Sequence, residues 1–134
     1  MYRTGQIAIA AAAYWGVVFA FAFGLGVVRT LWLAPQIGAL AAVLCEVPLV
    51  LAASWWTARR LIARFQITGQ GEALAMGLIA FILLMAAEAA LAGVLASQSP
   101  AAWLHGLITP AGATGLAGQL LFAAMPWWVA GRRH

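Results

Sequence analysis

The chain has 134 residues, of which 66% are hydrophobic and 7% charged, and its mean hydropathy is +0.99. This composition excludes an ordinary soluble domain, which has no means of hiding so much apolar surface, and fits a single membrane domain. The net charge of +4 comes with seven arginines and no lysine, placed at expected helix ends rather than in one basic run. Nucleic acid is therefore excluded as a partner, and the lipid bilayer takes its place. A single cysteine, Cys45, excludes an intrachain disulfide. With no His or Cys beside it, a metal site is not expected, and it reads as a small buried apolar residue.

The first expected helix spans about residues 5–28, enough at about 1.5 Å per residue to cross a hydrocarbon core of about 30 Å. Arg3 and the Ala-rich run give it a likeness to a signal peptide. The apolar stretch from Ile7 to Val28 outruns a usual signal core and no polar cleavage segment follows, so it is read as a membrane span. Gly16, Ala20 and Gly24 recur every four residues, a small-residue stripe expected to pack against another helix of the same chain rather than against a second copy. Tyr14 and Trp15 fall near mid-membrane and are expected to pack internally.

Residues 29–34 read as a short connection, with Trp32 as an interfacial anchor and Pro35 at the first position of the second helix, about residues 35–60. That helix ends Trp55-Trp56-Thr57-Ala58-Arg59-Arg60, an aromatic belt followed by cations. It also carries Glu46 and Pro48 in an otherwise apolar run. A mid-bilayer acid costs about 2.5 to 3.5 kcal/mol on insertion scales, so Glu46 calls for an interior partner or a wet cavity. Counting by three and four, its face holds Ala39, Ala42, Leu49, Val50 and Ala53, and is expected to point inward. Pro48 removes the donor for the Leu44 carbonyl and marks an irregularity beside the acid.

A polar turn at Thr68-Gly69-Gln70-Gly71 leads to a third helix, about residues 72–95, which carries Glu88. Ser99-Pro100 and Thr109-Pro110 each pair a capping hydroxyl with a proline at a first helical position. They predict a short interfacial helix through Trp103 and His105 and a fourth long helix over about residues 110–130. The fourth ends Trp127-Trp128-Val129-Ala130-Gly131-Arg132-Arg133, echoing the second. A duplication of two helices would give that echo, but any helix running toward a basic side tends to finish in this way. The fold expected is all-α, a four-helix antiparallel transmembrane bundle. Arg3, Arg59, Arg60, Arg64, Arg132 and Arg133 then share one side and Arg29 the other, which puts both termini in the cytoplasm and the chain in an inner membrane.

Depth picks out the candidate site. Glu46 and Gln119 each lie about 13 residues, or about 20 Å, before the closing arginines, and Glu88 about 24 Å from the same side. Arg29, at the far end of the first helix, can reach inward. Each long helix thus offers one polar group to a shared layer of Arg29, Glu46, Glu88 and Gln119. Either Arg29 bridges the two glutamates, or the glutamates share a proton. No catalytic constellation accompanies them: His105 and His134 have no nucleophile or acid at a recognisable spacing, and no phosphate loop, metal pair or haem-ligating histidine at depth is present. No cofactor is expected.

The run Arg29-x-Leu31-x-x-Ala34-Pro35-x-x-Gly38, then Glu46-x-Pro48, Ser54-Trp55, Met76-Gly77, Glu88, Gly115-Leu116-x-Gly118-Gln119 and Pro126, resembles an uncharacterised family of small bacterial four-helix integral membrane proteins. The resemblance implies no activity; it implies that Arg29, Glu46, Pro48, Glu88 and Gln119 belong to the shared pattern. Small multidrug exporters also have four helices and an intramembrane glutamate, but in their first helix, where this chain has none, so no kinship with them is read. Two functions follow from the polar layer. One is transport or conduction of a proton or cation, with Glu46 and Glu88 as carriers, Arg29 and Gln119 as their partners and Pro48 opening the helix beside them, in a homo-oligomer because four helices leave little room for a pathway. The other is a structural accessory subunit or assembly factor of a larger membrane complex, whose polar layer only sets the helix arrangement. An integral-membrane enzyme stands third.

Overall fold

A computed structural model describes residues 2–67, 69–95 and 97–132. Within them the chain is helical almost throughout. Helix α1 (Tyr2–Val28) runs through a π-helical turn, Arg29–Leu33, into the single turn α2 (Ala34–Ile37). Then come α3 (Ala39–Phe65), α4 (Gln70–Leu95), the short α5 (Pro100–Gly106) and α6 (Pro110–Arg132). Three helical stretches are long and apolar enough to cross a membrane, Thr4–Ile37, Ala39–Phe65 and Gln70–Val94. The fourth reaches that standard only when α5 and α6 are taken together as one span bent by 87°. The expected side chain of Arg132, and Thr68, Arg133 and His134 as a whole, lie outside the described residues, as does the Arg3 side chain.

Where the first helix ends is a correction. Pro35 does not open the second helix. The Ala34 N–H instead reaches back five residues to the Arg29 carbonyl, and this wider turn carries the helix past a proline that has no N–H to give. The break falls at Gly38, whose φ of +91° is open to glycine and strained for other residues. Its N–H donates to the Ala34 carbonyl at 2.8 Å and its own carbonyl accepts from Ala42 at 3.1 Å, so one residue ends one helix and starts the next.

The second helix also runs further than expected, to Phe65 rather than Arg60. Arg59 and Arg60 lie over Trp55 and Trp56, 5.2 and 4.9 Å from the ring centres, so these cations are accommodated along the helix. Gln66 then takes the left-handed conformation and the Ile67 N–H closes on the Ile62 carbonyl at 3.0 Å. Ile62 and Ile67 are both buried, which is the hydrophobic contact that completes this kind of helix stop. Both expected caps before α5 and α6 are present. Ser99 Oγ accepts from Ala102 N–H at 3.1 Å, and Thr109 Oγ1 from Gly112 N–H at 3.1 Å.

The four long helices close into a ring in the order α1, α3, α6, α4. Tyr14 meets Ser54 and Gly26 meets Glu46, so α1 and α3 are antiparallel. Gly77 meets Ala123 and Glu88 meets Gln119, so α4 and α6 are antiparallel too. The other two adjacent pairs, α3 with α6 and α4 with α1, run parallel. A repeat related by an axis along the bundle would set α4 diagonal to α1. They are neighbours, so the ring lacks that symmetry.

One buried bond spans this ring. Pro126 lies inside α6 and leaves the Phe122 carbonyl without a helical donor. Tyr14, wholly buried on α1, supplies one: its hydroxyl donates to Phe122 O at 2.6 Å. The two rings also stack, with centroids 4.4 Å apart and planes 9° from parallel. Ser54 lies beside the same hydroxyl and donates to the Val50 carbonyl at 2.7 Å. Tyr14 is thus internal as expected, and the core extends from it toward the arginine end, through Ala11, Ala58, Ile62, Met76 and Val129.

The small residues of close approach are not those expected. Gly16 and Gly24 have open space where a Cβ would stand, and Ala20 and Gly24 are exposed, so the Gly16, Ala20, Gly24 stripe faces away from the bundle. The inward face of α1 is Ala10, Ala11, Tyr14 and Val18. On α3 the buried line is Ala42, Val43, Ser54, Thr57, Ala58 and Ile62, whereas Ala39 and Leu49 point outward. Cys45 is exposed rather than buried. Backbones come closest at Gly77, where a Cβ would overlap the Ala123 carbonyl next to Pro126.

Two stability outcomes follow. Gly77→Ala drives a methyl into a backbone carbonyl and is expected to destabilise the folded protein by about 1–3 kcal/mol, read as a lowered unfolding midpoint in detergent. Tyr14→Phe orphans the Phe122 carbonyl and is expected to cost about 1–2 kcal/mol. In a Pro126→Ala background that carbonyl regains its own helical donor, so the same Tyr14→Phe change should cost clearly less; equal costs in both backgrounds would show that the bond is not what Pro126 requires.

Candidate functional site

On the other side of the Tyr14–Phe122 plug the helices separate around a cavity of about 640 Å³. Its floor is formed at Val18 and Phe122, and it extends to Thr30, Leu31 and Leu107 at the α2–α5 end. Thr30 and Leu31 are exposed, so the cavity reaches the surface there. Small residues make the room. Gly115 lines it with open space where a Cβ would be, while Gly26 and Gly118 allow Arg29 and Val47 to close in. At Gly112 a Cβ would overlap the Gly106 carbonyl, so glycine there permits the sharp fold-back from α5 to α6 that frames the mouth.

Arg29, Glu46, Glu88 and Gln119 all line this one cavity. They meet as two pairs rather than as one bridged cluster. Arg29 Nε donates to Glu46 Oε2 at 2.9 Å, with the side chains 31% and 15% exposed, so the ion pair is only partly open to solvent. Gln119 Nε2 donates to both oxygens of Glu88, at 2.6 and 2.7 Å. Among the described residues no arginine forms an ion pair with Glu88. Arg29 is the first residue of the π turn, so the ion pair forms where the helix widens. Counted as charges, the paired Arg29 and Glu46 cancel, and an ionised Glu88 leaves the cavity with one negative charge.

Pro48 stands apart. It lies on the exposed face of α3, two residues and about 200° round from Glu46, and α3 is helical through it. It does not line the cavity, and the expectation that it opens the helix beside the glutamates is corrected. His105 is exposed on α5 and also lies outside the lining. Among the described residues no group of three or more His, Cys, Asp or Glu is placed to hold a metal ion.

Counting did not reach Phe19, Phe23 and Gly115, which form the apolar wall and the space before it. It also passed over Tyr14 as the donor to α6, although the rule that points from Pro48 to Leu44 points equally from Pro126 to Phe122. Four helices are expected to leave little room for a pathway inside one copy; a single chain nevertheless encloses this cavity, closed at one end.

The ion pair makes a mutational prediction. Arg29→Gln leaves the Glu46 carboxylate without its cation and is expected to cost about 1–3 kcal/mol of stability in detergent unfolding. Adding Glu46→Gln to that variant should restore part of the loss. A double variant that is weaker by the sum of the single losses would mean that the two side chains act independently.

Compared with protein-family models, curated proteins and solved structures, the chain matches none.

Proposed function

We propose that this chain is a four-helix membrane-spanning bundle that binds a proton or cation in its outer-half cavity and moves it across the membrane. The observation that supports this reading is the convergence of Arg29, Glu46 and Glu88, from three different helical stretches, on one cavity that is closed toward the arginine end and reaches the surface at the other. Ionisable side chains at such depth are costly, face interior or wet space, and commonly mark a pathway. A largely apolar pocket of this size with a few converging polar groups is also the usual form of a small-ligand site. In this reading Glu88 is the exchanging carboxylate. Its partner is a neutral amide, whereas Glu46 is neutralised by Arg29.

The arginine distribution supports cytoplasmic termini, so the cavity faces outward and α5 lies at the outer interface. In this reading the membrane is a bacterial inner membrane, as the resemblance to small bacterial membrane proteins implies. A homo-oligomer is still compatible with the exposed apolar faces, but a pathway no longer requires one.

The Arg29–Glu46 pair favours a second reading. A satisfied ion pair joining α1 to α3 suits an accessory subunit whose polar layer only fixes its helices. Proton flux into proteoliposomes under an imposed potential separates the two. The transport reading expects flux above empty liposomes that falls about tenfold or more in Glu88→Gln, a loss typical of removing an essential exchanging group. Wild-type flux no greater than that of empty liposomes would favour the accessory role, and flux unchanged in Glu88→Gln would remove Glu88 from the pathway.

A further inference from the structure

We infer that the cavity takes an amphiphilic organic cation that carries an N–H donor, a protonated amine joined to an apolar body. The inference rests on the transport reading for the site's role and adds the class of its ligand.

Gln119 spends its amide nitrogen on both oxygens of Glu88. Its carbonyl oxygen, Oε1, is left buried with no partner. A buried acceptor without a donor costs about 1–3 kcal/mol, so the site gains when a donor arrives. Beside that acceptor is the Glu88 carboxylate, whose oxygens have capacity beyond the one amide they hold. The α4–α6 side of the cavity therefore presents acceptors, while on the α1 side the charge of Arg29 is matched by Glu46 through its Nε. A ligand that donates and carries positive charge answers both demands. One that brings an anion or only an acceptor answers neither.

The walls point to the same class. Phe19 and Phe23 line the cavity with their ring centres 6.1 Å apart, and an aromatic face attracts a cation as well as an apolar body. Val47, Leu84 and Leu91 add aliphatic surface. The volume of about 640 Å³ has room for a ring or short chain beyond the amine. A bare metal cation would leave this apolar surface unused and would find one amide oxygen and two carboxylates, one of them held by Arg29, short of the six or more oxygens that hard cations collect.

The test uses the full chain in lipid nanodiscs, titrated calorimetrically with phenylbutylamine against protein-free nanodiscs. Phenylbutanol, phenylbutyrate and the N,N,N-trimethyl derivative of the amine serve as comparators. The amine is expected to bind saturably, with the other three weaker by about tenfold or more, since each lacks the charge, the donor or both. Glu88→Gln should weaken the amine by about tenfold or more. Gly115→Leu keeps every charged group and fills open space, so it should abolish binding while the protein remains folded. The inference is overturned if the alcohol, the carboxylate or the trimethyl derivative binds as well as the amine, if Glu88→Gln or Gly115→Leu binds it like the wild type, or if the amine shows no saturable binding. Counterflow of the amine in proteoliposomes separates this from the transport reading. Saturable binding without counterflow overturns transport and keeps the ligand class, whereas proton flux through a protein that ignores the amine overturns the ligand class alone.

Discussion

A proline without an N–H sets the terms for this bundle. Pro126 leaves one carbonyl of α6 bare in a region where water is scarce, and the Tyr14 hydroxyl reaches across the ring from α1 to meet it. That contact fixes the diagonal of the bundle. It also stacks two rings through the middle. Gly77 lets α4 close against α6 at the same level, where a larger residue would collide with the backbone next to Pro126. The arginine half of the molecule is therefore tightly packed, and the space left by four helices is pushed into the other half.

That division explains where the polar groups lie. Arg29, Glu46, Glu88 and Gln119 are too costly for lipid and do not fit the packed half, so the cavity is the place that tolerates them. The π turn at Arg29 and the glycine at position 26 bring a guanidinium within bonding distance of Glu46. Gly115 leaves open space at the opposite wall, where Gln119 of α6 meets Glu88 of α4. Structure and chemistry are linked here: the plug that stabilises one half leaves a site in the other.

Much of this was legible in the residues. Apolar length and the arginine and tryptophan belts marked the long helices, and counting from the arginines placed four polar groups at a common depth because helical rise is nearly constant. Local signals were ambiguous where one motif fits two backbones. A proline at position 35 suits a helix start and equally suits a helix that widens just before it, and only Gly38 shows where the chain turns. In Ala-rich α1, apolar on every side, periodicity cannot choose a face, so the Gly16, Ala20, Gly24 stripe looked as suitable as the Tyr14 line that in fact packs. The pairing within the polar layer, and the cavity itself, depend on how the helices are ordered around the ring. Placing α4 beside α1 and α6 beside α3 is a property of the assembled bundle that no single segment carries.

The most direct test of the central claim, a cavity holding the four polar groups, open at one end and sealed at the other by Tyr14 and Phe122, is sided thiol labelling. Gly115→Cys in a Cys45→Ala background puts one thiol inside the cavity. A membrane-impermeant maleimide should label it from the side that bears α5 and not from the side of Arg59 and Arg60. Labelling from the arginine side, or from neither side, would contradict the account.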